Sequence, residues 1–279
     1  MTQRIQRTID HNRGLPAPLR LLHILAVPVA AAWEWLSTPG RRHTLRPIAL
    51  GLLAAALLLP FGGLLDGLLG RLINGLDDRS ADGSRLLGGD VVRELNALQQ
   101  FGGISSIVLV ALGIGLLDPA RRRRIWDLAA ATIATSVVVL GAKMFIGRPR
   151  PKFDEPGVIL GPFGSFDLGP DVGVRHAWET WAGISSDLWS MPSSHTSGAT
   201  ALAVFVAVLY PRLKWVMVGW VAVVAFSRVL FGAHWPADVA VGAGVGYAVA
   251  HTAVTRGWGT RLAVRAGALR PEQPATPAG

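Results

Sequence analysis

The chain has 279 residues, 51% hydrophobic and only 16% charged, with a net charge of +9 and no cysteine. That is too apolar for a soluble domain of this size, and the missing cysteines exclude disulfides, thiolate metal sites and cysteine nucleophiles. The positive charge does not point to nucleic acid, because it follows a membrane topology rather than a binding face.

Residues 1–46 form a basic N-terminal segment with seven arginines against Asp10 and Glu34. Within it, residues 21–36 are apolar. They can be read as a signal peptide, a first span or a helix lying in the membrane interface. The interfacial helix is preferred because the stretch is short and basic on both sides. A membrane domain is expected over 47–254. Its first span is about 47–69. A polar outer loop, 70–102, follows, with Asp90 expected to cap a short amphipathic helix running to Gln100. Span two is about 103–117, and Arg121–Arg124 then marks the cytoplasmic side. Span three is about 125–146. A long Gly/Pro-rich outer loop, 147–190, carries Trp178, Trp181 and Trp189. Spans four, five and six are about 192–210, 215–232 and 236–254. Residues 255–279 are expected to be a basic, disordered cytoplasmic tail.

The expected fold is therefore all-α, a polytopic bundle of six transmembrane helices with an N-terminal interfacial helix. Charge counting agrees with both termini on the inner side. The inner segments hold 17 Lys/Arg against five Asp/Glu, and the remainder ten against 13, the bias that the positive-inside rule describes.

Three polar clusters then fall on the outer side. The first is Lys143 near the end of span three, followed by Gly147-Arg148-Pro149-Arg150-Pro151. The glycine and prolines stop the helix, so Arg150 can fold back beside Lys143. Lysine as a point charge and arginine as a planar fork suit an oxyanion. Snorkelling cations at a helix end would look the same. Arg148 is a second candidate for that anion.

The second cluster is Pro192-Ser193-Ser194-His195, opening span four. A helix N-terminus offers free N–H groups and a positive dipole end, the serines add hydroxyl donors, and His195 is placed to give a proton. A serine-capped helix start with an incidental histidine is the plain alternative. The third is Ser227-Arg228-x5-His234-x3-Asp238. Pro236 opens a helix, so Asp238 lies on the same face as His234. A carboxylate there can hold one imidazole nitrogen and leave the other free. A corner whose charges merely pair is the alternative.

Together these residues resemble the three signature motifs of the type 2 phosphatidic acid phosphatase (PAP2) superfamily, in order and in spacing. The resemblance covers about 140–240. It implies a metal-independent membrane phosphatase without cofactor, acting on a lipid phosphate or diphosphate. His234 would be the nucleophile forming a phospho-histidine, Asp238 its orienting partner and His195 the acid and base. Lys143, Arg150, Ser193, Ser194 and Arg228 would bind the phosphoryl group. Ser194 stands where the family usually has glycine. His176 in the long loop, and His23, His43 and His251 on the inner side, are expected off-site. Two other readings remain: a phosphotransferase using the same intermediate with a hydroxyl acceptor, and a non-catalytic lipid-binding membrane protein. The implied partners are a lipid substrate and the bilayer; the short inner loops and outward-facing site favour a bacterial inner membrane, with an endomembrane as the alternative.

Overall fold

The apolar runs read from the sequence are helices in the computed structural model, which describes residues 42–76, 87–182 and 186–270. The interfacial helix expected at 21–36, the carboxylates Asp77, Asp78 and Asp82, and the tail beyond 270 lie outside them. The chain divides into two units, Met1–Leu45 and Arg46–Gly279. The second holds everything described below except the first four residues of α1.

In chain order the elements are α1 (Arg42–Leu58), α2 (Pro60–Asn74), α3 (Gly89–Leu98), α4 (Ile104–Leu117) and α5 (Ile125–Ile146). The strands β1 (Ser165–Asp167) and β2 (Val174–His176) follow, then α6 (Ser194–Leu209), α7 (Lys214–Leu230), α8 (Pro236–Thr255) and α9 (Trp258–Arg265). α5 has the bounds expected for span three, and α8 starts at the proline expected to open span six.

Three expectations change. Residues 258–265 of the expected disordered tail form α9, which packs on α5. The single span at 47–69 is two helices meeting at a 93° bend, because Pro60 opens α2 where a continuing helix would need its N–H. Asp90 is not the cap of α3. The cap is Gly88, and Asp90 sits in the first turn, paired with Arg93 at 3.0 Å.

Among the described residues, three helices are long and apolar enough to cross a membrane, or four if the bent pair is one span. α4 and α6 are apolar but shorter. The 16 residues of α6 extend about 24 Å, less than a typical hydrocarbon core of about 30 Å.

The packing is inverted relative to a soluble protein. Leu109, Leu117, Ile133, Val137 and Trp215 are exposed, while Asp66, Asp127, Lys143 and Arg148 are buried. An apolar outside around a charged inside is what a bilayer solvent selects. This is an integral membrane protein.

α6 is the central helix, packed against α8, α7 and α5, and its buried face runs from Thr196 to Leu209. Its contact with α8 is a backbone-to-backbone approach at Gly242 and Gly246. A Cβ at Gly246 would lie 2.5 Å from the Ser197 carbonyl oxygen, and one at Gly242 would lie 2.8 Å from that of Ser193. Small residues four apart are the usual means of bringing membrane helices this close. Here they bring the helix that carries His195 in its first turn against the one that carries Asp238.

The 147–190 connection is not a bare loop. β1 and β2 pair antiparallel, with Phe166 opposite Arg175. Behind them Ala177 and Leu188 are buried with Leu160, Phe166 and Trp189. The strands are three residues long, too short for alternation to reveal.

Candidate active site

α5 ends with Lys143 in its last turn. Beyond it the chain pairs with its own far end, through a parallel bridge between Arg148 and Trp189. This clamp aims both ends of the long loop at one place. Lys143, 5% exposed, donates from Nζ to the Trp189 carbonyl. Arg150 donates from its backbone N to the Asp187 carbonyl at 3.0 Å and from Nε to that of Ser186. Burial draws the Arg150 guanidinium below its ordinary pKa, and Asp187 acts in the opposite sense. Arg228, in the last turn of α7, donates from Nη1 to Gln99 Oε1 at 2.7 Å.

Lys143, Arg150 and Ser194 line one cavity of about 400 Å³, which runs between α5 and α6 past Val139, Leu140 and Gly198. Lys143, Arg150 and Arg228 interact electrostatically with one another and with His195. Among the described residues none of these three cations has a carboxylate within ion-pair distance. Three like charges held together against their mutual repulsion make a site shaped for an anion.

His234 lies in the short turn between α7 and α8 and is 2% exposed. Its Nδ1 is 2.7 Å from the Ser190 carbonyl oxygen and 3.6 Å from Asp238 Oδ2. A carbonyl oxygen can only accept, so Nδ1 carries the proton and Nε2 keeps its lone pair. Burial pushes the His234 pKa down to about 4, opposed by Asp238 and reinforced by the charges of Lys143 and Arg228. The imidazole is therefore neutral at ordinary pH.

The expected pairing of Asp238 with His234 is longer than the contact with Ser190, because Asp238 has closer partners. Its Oδ1 accepts from Arg148 Nη1 at 2.6 Å. Its Oδ2 accepts from Ser190 Oγ at 2.5 Å and from the Trp235 backbone N at 2.8 Å. Ser190 thus touches both members of the pair, by its carbonyl to His234 and by its hydroxyl to Asp238.

Sequence reasoning missed two residues of this assembly and gave a third the wrong role. Ser190 sits just before the Ser-Ser-His run with no signal of its own. Asp66 lies in an apolar helix, where a buried carboxylate was a cue to a partner. Arg148 was weighed only as an anion ligand. It is wholly buried, with Nη1 on Asp238 and Nη2 on Asp66 Oδ2, both at 2.6 Å, and Nη2 also meets the Pro156 carbonyl. The other oxygen of Asp66 accepts from the Ala237 backbone N at 2.8 Å. Asp66 and Arg148 tie α2 and the end of α5 to the first turn of α8.

Ser193 stands apart from the cavity. Its hydroxyl caps α6, accepting from the Thr196 N at 3.4 Å and Thr196 Oγ1 at 3.1 Å, and its N–H donates to the Asp238 carbonyl at 3.0 Å. Ser194 is exposed and faces the cavity. His176 is occupied within the loop, its Nδ1 2.9 Å from the Gly164 carbonyl oxygen and its ring stacked on Trp178.

Among solved structures, the chain resembles LpxE of Aquifex aeolicus at 19% identity, over 67% of this chain and 93% of that one, with a TM-score of 0.46. It also resembles a transmembrane PAP2-type phosphatidylglycerolphosphate phosphatase of Bacillus subtilis at 15% identity, over 79% and 97%, with a TM-score of 0.48. No curated protein matches the sequence. The family model described as the PAP2 superfamily matches residues 124–261. That span begins at the end of the four-arginine run and contains Lys143, Arg150, the Ser193–His195 helix start and the Arg228–Asp238 corner, so the part of the chain that holds all three clusters, with the helices that present them, belongs to the PAP2 superfamily.

Proposed function

We propose that this protein is a membrane phosphatase that hydrolyses a lipid phosphate or diphosphate through a phospho-histidine. The observation that carries the reading is the set of three cations without carboxylate partners, gathered beside His195 and His234. A phosphate monoester is a dianion whose uncatalysed hydrolysis is among the slowest known. Preorganised positive charge is the main thing a protein can supply to such a reaction.

In the first step His234 Nε2 attacks phosphorus. The N–P bond forms as the P–O bond to the lipid breaks, and His195 gives its proton to the departing alkoxide. Phosphorylation makes the His234 ring cationic. The Ser190 carbonyl, and Asp238 at 3.6 Å, lie on its Nδ1–H side and offset that charge. In the second step His195, now neutral, takes a proton from water. The oxygen attacks phosphorus, the N–P bond breaks, and inorganic phosphate leaves with His234 restored. Lys143, Arg150, Arg228 and Ser194 hold the phosphoryl oxygens throughout.

The apolar side of the cavity, Val139 and Leu140 on α5, suits the first methylenes of a lipid tail. Phosphatidate, phosphatidylglycerol phosphate and polyprenyl diphosphate are the substrate classes that fit a small anionic head on an apolar stem. Six spans, both termini cytoplasmic and an outward site in a bacterial inner membrane are part of this reading. Its support is that the arginine-rich α4–α5 junction and the α6–α7 turn meet, through Tyr210 Oη on Asp118 Oδ2 at 2.9 Å, away from the site.

The test is phosphate release by detergent-purified protein in EDTA over a panel of these lipids, beside His234→Ala and His195→Ala. Release should survive EDTA, fall at least about a thousandfold in His234→Ala, and leave a trapped phosphoprotein only where His234 is intact. Wild type releasing no more than the two variants, on every lipid, would overturn the reading.

A further inference from the structure

The basic end of the molecule contains a second cavity that the phosphatase reading leaves unused. α9 packs along the start of α5 and is fixed there at its first turn. Buried Asp127 accepts from the Thr260 N at 2.8 Å and from Thr260 Oγ1 at 2.9 Å. Gly259 crosses so close that a Cβ there would strike the Trp126 carbonyl. Beside that contact lies a groove of about 510 Å³, with Ala130, Ile133 and Ala134 of α5 and Leu262 of α9 in its walls.

Arg261 and Arg265, four apart on one face of α9, also line it. The four-arginine run beside them is engaged within the protein. Arg121 meets Asp118 at 2.5 Å, Arg122 the Gly115 carbonyl at 2.8 Å, Arg123 the Arg270 carbonyl at 2.7 Å and Arg124 the Val254 carbonyl at 2.6 Å. The side chains of Arg261 and Arg265, both exposed, make no hydrogen bond or ion pair among the described residues. The groove therefore has an apolar floor on a membrane helix and two uncompensated cations at its side, which is the complement of a phospholipid with net negative charge. Along α5 it is roughly 15–20 Å from Lys143, too far to share an occupant with the active site.

We propose that the α5–α9 groove binds an anionic phospholipid of the bilayer leaflet opposite the active site. Its phosphodiester sits on Arg261 and Arg265, and an acyl chain lies against Ala130, Ile133 and Ala134. The proposal rests on the chain being an integral membrane protein, and not on the hydrolysis. The bound lipid joins α9 to α5 and steadies the end of the bundle where α8 leaves the membrane.

The test is native mass spectrometry of the full chain, delipidated and then given phosphatidylglycerol or phosphatidylcholine at equal mole fraction. Both are phosphodiesters, which a monoester phosphatase does not cleave, so retention is read apart from turnover. Phosphatidylglycerol should be retained roughly tenfold better or more, since two interfacial cations distinguish the headgroups. R261Q/R265Q should lower its retention to that of phosphatidylcholine, R261K/R265K should restore most of it, and Ala134→Trp should reduce retention by filling the groove. The same measurements in His234→Ala protein should be unchanged even if no phosphatase activity is ever found. Equal retention of the two lipids by wild type, or a phosphatidylglycerol preference that survives both R261Q/R265Q and Ala134→Trp, would overturn the proposal.

Discussion

Arg148 and Arg150 are two residues apart and do different things. Arg148 neutralises two buried carboxylates with 2.6 Å contacts. Arg150 faces the cavity with no carboxylate in ion-pair contact. Removing one member of a buried ion network typically costs about 3–5 kcal/mol, because the remaining charges are left in a low dielectric. Arg148→Gln should therefore lower the unfolding temperature sharply and abolish activity with it. Arg150→Gln should leave unfolding nearly unchanged and reduce kcat/KM by about a hundredfold, in line with losing one charge-stabilising donor. A matched pair of melting curves and rate measurements separates the two roles. Asp66→Asn should resemble Arg148→Gln although Asp66 touches neither histidine. At the same scale, the low pKa of His234 has a kinetic consequence. Only the neutral imidazole attacks, so the acid limb of kcat/KM that belongs to this residue should fall near pH 4. A limb at the ordinary 6.5 that does not move when the phosphate pKa of the substrate is altered would show that burial does not act as described.

At the scale of elements, the contact that assembles the site is the crossing of α6 and α8. Gly246→Leu would force the Ser197 backbone away and separate the His195 end of α6 from the Asp238 end of α8. A loss of about 1–3 kcal/mol by overpacking, with activity falling further than stability, is the expected outcome of melting and rate measurements on this variant. Much of this level was legible in the sequence. Long apolar runs between Arg-rich turns gave α5, α7 and α8 nearly their observed bounds, and helix-breaking prolines predicted the turn after Lys143. The bend at Pro60 was legible too, but hydropathy alone ran through it. The glycines at 242 and 246 say that something approaches closely without saying what. The Asp66–Arg148 contact was out of reach, because hydrogen-bond partners 82 residues apart leave no local pattern. The hairpin at 165–176 is stabilised by the small core behind it, so its short strands do not announce themselves.

At the largest scale, the four-arginine run, Arg261 and Arg265 lie at the start of α5, and Lys143 with the candidate catalytic residues lies at its other end. With no native cysteine, a single introduced one reports its side of the membrane. In intact cells, Asp171→Cys in the loop beside β2 should react with a membrane-impermeant maleimide, and Arg212→Cys in the α6–α7 turn should react only after the membrane is opened. The reverse pattern would turn the molecule over and put the phosphatase chemistry on the inner side.

The buried Asp66–Arg148–Asp238 chain also bears on the order of synthesis. The ribosome delivers Asp66 first, its arginine 82 residues later and the second carboxylate 90 residues after that. A bare aspartate in the middle of a membrane helix costs about 2.5–3.5 kcal/mol to insert. α2 therefore has reason to linger beside the insertion machinery, or in a wet crevice, until Arg148 arrives. A nascent chain arrested before residue 236 presents an arginine with half of its counter-charge missing. Biogenesis of this membrane domain is accordingly completed at its last long helix, and the catalytic corner is the piece whose arrival closes it.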